Sequence, residues 1–109
     1  MDLKTQKIND LILNAQKELD LHKKDKKYER LLQAAEKCWI AYILLIEKKF
    51  EVELKTSKSI YILSKKKKML ELYEKFKYLH IFHYEGMLEE WEARINIKDG
   101  IQTLKKLKI

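Results

Sequence analysis

The sequence contains no proline, only two glycines and one cysteine in 109 residues. A chain so poor in turn formers and so rich in Lys, Leu, Glu and Ile is a chain of long helices. A lone cysteine, Cys38, has no internal partner for a disulfide, which fits a reducing compartment. Arginine is almost missing. Only Arg30 and Arg94 occur, so the basic surface is built from lysine, the less specific partner for phosphate. Long apolar runs are absent as well. The longest nearly uncharged stretch, 38–46, is far short of the ~20 residues that cross a bilayer. No apolar secretory segment opens the chain. These absences lead us to expect a cytoplasmic protein with no membrane association. Glycine-rich phosphate loops, nucleophile elbows, HExxH and CxxC are also missing, so neither a cofactor nor a metal site is expected.

What is present is charge and helical periodicity. The net charge is +7, and it is uneven. Residues 1–54 hold 11 Lys/Arg against 10 Asp/Glu, whereas residues 55–109 hold 13 against 7. A basic half attracts polyanions, of which nucleic acid is the commonest in a cell, although a lysine-rich solvated surface has the same composition. The length suits one domain, 1–109, with a single core.

Apolar positions Leu3, Ile8, Leu11, Ile12, Ala15 and Leu19 predict a first helix over 3–21, followed by a charged turn at 22–27. A second helix is expected from about 27 to 49. It is apolar nearly all round between 38 and 46, the pattern of a helix buried on several sides or at a subunit interface. Residues 50–58 read as a connection in which Thr56 or Ser57 caps a short third helix. Lys65, Lys66, Lys67 and Lys68 read as the exposed turn after it and as candidate phosphate contacts. A fourth helix is expected over 69–87, a connector at 94–97 and a last short helix at 98–108.

The most unusual chemistry lies in FKYLHIFHYEG, residues 76–86. On a helical wheel, Met69, Tyr73, Phe76, His80, His83 and Met87 form one stripe, flanked by Leu72 and Tyr84. Phe82 then falls on the polar side, which suggests a partner surface. Four roles compete for His80 and His83. They are structural imidazoles, general acid–base groups that titrate near neutrality, metal ligands lacking a third partner, or ligand-binding groups. Cys38 reads as a buried inert thiol, Trp39 as a core anchor, and Trp91 as a cap or interface residue. No helix-turn-helix signature supports DNA binding through the lysine run.

Two segments carry a resemblance. AAEKCWIA at 34–41 resembles the AEKxWxA signature of the PaREP family of archaeal proteins. Leu79 and His80, followed by Tyr84 and Glu85, resemble that family's LHxNFYE segment. The likeness covers roughly residues 28–108. That family in turn resembles the HEPN superfamily of nucleotide-binding or RNA-cleaving helical bundles, often dimeric. The resemblance implies an all-α, up-and-down bundle of four to five helices. It also implies a homodimer binding a nucleotide, an RNA or a protein partner near Glu36, Trp39, His80, His83 and Tyr84. The alternative it implies is a metal-independent endoribonuclease of toxin or defence type. Many HEPN ribonucleases carry Arg-x4-6-His, and here no arginine precedes either histidine at that spacing. Lys77, three residues before His80, is the cation that would take its place, with help from the lysines at 65–68. The family's usual Asn-Phe is also replaced, by Phe82 and His83.

Overall fold

The computed structural model describes residues 2–107. Five helices follow in order: α1 (Leu3–Asp25), α2 (Tyr28–Phe50), α3 (Ser57–Lys66), α4 (Leu70–Glu85) and α5 (Glu90–Leu107). Among the described residues there is no strand, and the all-α bundle expected from the sequence is what forms.

Local chemistry sets the helix ends. Asp2 caps α1 by accepting from the Thr5 backbone N–H at 2.7 Å, and this bond holds its carboxyl below the usual carboxylate range. Thr56, not Ser57, caps α3 by accepting from the Ser59 N–H at 3.0 Å. Gly86 closes α4 in the left-handed region (φ 58°), its N–H donating to Phe82 O at 2.7 Å. The Tyr28 hydroxyl, donating to Leu88 O at 2.7 Å, pins the turn that follows.

Helix α2 is the centre of the molecule. It packs against α1, α4 and α5, and Ala34, Ala35, Cys38, Ala41, Tyr42 and Ile46 are fully enclosed. Most of its apolar stretch is therefore covered by helices of its own chain, while Ile40, Ile43 and Leu44 are half-buried. Small residues on α2 and Gly100 on α5 let the helices approach. A Cβ at Gly100 would lie 3.0 Å from Leu79 Cδ1 and 3.8 Å from Cys38 Sγ.

Four expectations are corrected. Helix α1 runs on to Asp25, so His22 is not in a turn but buried between helices. Residues 94–97 are not a connector. They lie within α5, which begins at Glu90, because Ala93, Ile97, Gly100, Ile101 and Leu104 form one continuous buried stripe. The expected end of that helix at 108 lies outside the described residues. Phe82 is not on an exposed face. It is fully buried, edge-on to the Tyr28 ring at 5.8 Å between centroids. The buried stripe of α4 is thus Tyr73, Phe76, Leu79 and Phe82, rotated away from the histidines. Enclosing Leu79 and Phe82 is worth about 1.5–3 kcal/mol each, whereas enclosing imidazoles removes polar nitrogens from water. Met87 accordingly lies outside α4 and is exposed.

Candidate functional site

Helices α2 and α4 run antiparallel, with Phe76 stacked on Tyr42 (4.7 Å) at one level and His83 beside Leu32 at another. Helix α3 lies over only part of this seam. Its Ser57 meets Lys77, its Tyr61 meets the Tyr73 ring edge-on at 5.6 Å, and its Ser64 Oγ is 3.3 Å from the Tyr42 hydroxyl. The rest of the seam, toward the end of α4, carries His80, His83 and Tyr84 and stays partly open.

Each histidine is anchored through Nδ1. His80 Nδ1 is 2.8 Å from Glu36 Oε1, and its ring stacks on Trp39 with centroids 5.0 Å apart. His83 Nδ1 is 2.8 Å from the Leu32 carbonyl oxygen. Both acceptors lie on α2, one turn apart, so the antiparallel pairing of the two helices holds both rings along the same seam. Tyr84 stands edge-on to both imidazoles, 5.0 Å from each, and is 72% exposed. Trp39, at 4% exposure, is the floor of this surface, not an open platform.

The sequence-predicted residues therefore divide. Glu36, Trp39, His80, His83 and Tyr84 come together. Lys77 adjoins them, but its Nζ is 5.5 Å from the Trp39 ring and donates to Ser57 Oγ at 3.1 Å rather than lying on His80. The lysines at 65–68 are exposed at the far end of α3. A ten-residue helix spans roughly 15 Å, which separates them from Lys77. There Lys67 sits 5.0 Å from the Phe50 ring. Cys38 is sealed, and burial pushes its thiol up to about 12, so it is neither nucleophile nor ligand near neutral pH.

Sequence reasoning missed a second polar cluster. Arg94 Nη1 donates both to Leu19 O (3.0 Å) and to His22 Nδ1 (2.9 Å), joining α5 to the last turns of α1. His22 Nε2 faces Glu90 Oε2 at 3.4 Å without hydrogen-bond geometry. The available signal was periodicity: His22 continues the buried row Ile8, Ile12, Ala15 and Leu19.

Comparison of the chain with family models, curated proteins and solved structures finds no match.

Proposed function

We propose that the open half of the α2–α4 seam binds single-stranded RNA, as a HEPN-like binding module would. The observation that supports this most is the grouping of two anchored, partly open imidazoles with an exposed tyrosine beside a lysine. A base stacked on Tyr84 gains about 1–3 kcal/mol. A polymer suits the charge better than a mononucleotide. Lys77 and the lysines at 65–68 bracket α3, so successive phosphates, not one, would be neutralised. The homodimer belonging to this reading would draw on outward-facing Trp91 and Ile95, since Phe82 and the centre of α2 are already covered.

A second reading, metal-independent RNA cleavage, has one observation in its favour. Glu36 orients His80 through Nδ1, leaving Nε2 as the proton-transfer atom, and His83 is disposed in the same way. Lys77 would supply the cation.

One experiment separates the two. Folded protein is mixed with labelled single-stranded RNA in EDTA, alongside the His80→Ala/His83→Ala variant and Tyr84→Ala. We expect binding that weakens steeply with salt and falls at least about fivefold in Tyr84→Ala. Cleavage by the wild type but not the double variant establishes the ribonuclease. No salt-sensitive binding by the wild type rejects both.

A further inference from the structure

RNA binding does not by itself require the way His80 and His83 are held. A backbone carbonyl oxygen can only accept, so the Leu32 contact requires the proton of His83 to sit on Nδ1. The Glu36 carboxylate places the same requirement on His80. In the neutral rings the lone pair is then on Nε2, the nitrogen not bonded to α2, and neither Nε2 is among the buried polar atoms lacking a partner. Histidines that bind metals are typically supported in this manner. The other ring N–H is given to a carboxylate or to a backbone carbonyl, which fixes the tautomer and makes the free nitrogen more basic. Here one histidine has each kind of support. The two rings leave α4 three residues apart, on one side of the helix.

We propose that His80 and His83 form a two-histidine chelate, through their Nε2 atoms, for a late first-row divalent cation such as Zn²⁺ or Ni²⁺. Imidazole nitrogens select these ions over Mg²⁺ and Ca²⁺, which prefer oxygen. Among the described residues, no three His, Cys, Asp or Glu side chains converge on one point. The remaining coordination positions therefore belong to water or to donors of a bound molecule. The remaining cysteine and histidine donors are committed elsewhere. Cys38 is sealed in the core, and His22 Nδ1 already accepts from Arg94. Glu36 acts in this site as a positioning residue. It holds the His80 ring without touching the ion.

The test needs no RNA, so it can fail independently of the RNA reading. Chelator-stripped wild-type protein is titrated with Zn²⁺, Ni²⁺ and Mg²⁺ by calorimetry, and the histidine ring resonances are followed by NMR. The informative variants are His80→Asn and His83→Asn. An asparagine amide can still donate from the position of Nδ1, so the anchor to α2 survives while Nε2 is removed. Circular dichroism establishes that each variant is folded. We expect one Zn²⁺ or Ni²⁺ per chain, no response to Mg²⁺, shifts confined to the His80 and His83 rings, and at least tenfold weaker binding in either variant. Glu36→Leu should weaken binding less, with the His80 ring signal broadened by lost orientation. No Zn²⁺ binding at millimolar concentration overturns the proposal. So does binding that survives both Asn substitutions, or shifts at His22 instead.

Discussion

Replacing Phe82 with alanine should destabilise the protein by about 3–5 kcal/mol, the cost of removing an enclosed phenyl ring. The ring is fully buried and meets Tyr28 edge-on, while the Phe82 carbonyl accepts the N–H of Gly86. Deleting the side chain opens a cavity beneath the α4–α5 turn, at the point where Tyr28 also holds Leu88 O. In urea, with a slope of about 1–3 kcal/mol per molar for small domains, the midpoint should drop by more than 1 M. An exposed phenylalanine on a partner-binding face would behave otherwise. Its loss would change stability by no more than about 0.5 kcal/mol. A midpoint shift that small would mean that α4 is rotated the other way, with the histidines inward.

The second large effect is expected at Arg94. Arg94→Ala leaves His22 Nδ1 without a donor in a closed environment and removes the second donor of Leu19 O, and an unsatisfied buried group costs about 1–3 kcal/mol. That loss, roughly 2 kcal/mol, is well above the fraction of a kcal/mol typical of a surface arginine. Arg94→Lys should recover only part of the loss, because the lysine side chain ends short of the Nη1 position and must order a more flexible stem to reach both acceptors. Equilibrium unfolding of both variants decides the matter. Equal stability of Arg94→Ala and wild type would show that α1 and α5 are not joined here.

Helix number and the buried centre of α2 were legible in the sequence, since both rest on periodicity, whereas the stop at Gly86 was not, the fourth helix being expected to run to 87. Nor was the rotation of α4. Its residues are apolar on nearly every side, so the wheel offers two stripes of similar weight. Only contacts with Tyr28 on α2 and Gly100 on α5 decide between them. The same holds for the candidate site. FKYLHIFHYEG holds His80, His83 and Tyr84, and the AEKCW segment holds Glu36 and Trp39, which the structure brings beside them. The anchors that set both tautomers are a carboxylate 44 residues away and a main-chain oxygen 51 residues away, and neither pairing is written in local spacing. Lys77 illustrates the limit of spacing arguments. An i−3 lysine can lie beside His80, but the start of α3 offers it a hydroxyl instead.

Helix α3 contributes only Ile60 and Ser64 to the buried set, whereas α2 contributes nine residues. Cooperative units with so little enclosed surface open at a small fraction of the global unfolding free energy. Backbone amides of residues 60–66 should therefore exchange with deuterium orders of magnitude faster than those of α2, under conditions where the whole molecule stays folded. Each opening would uncover Tyr42 and Tyr73 and lengthen the accessible furrow from the His80 end. The protein would then alternate between a short and a long version of one surface, with the four larger helices unchanged as its frame.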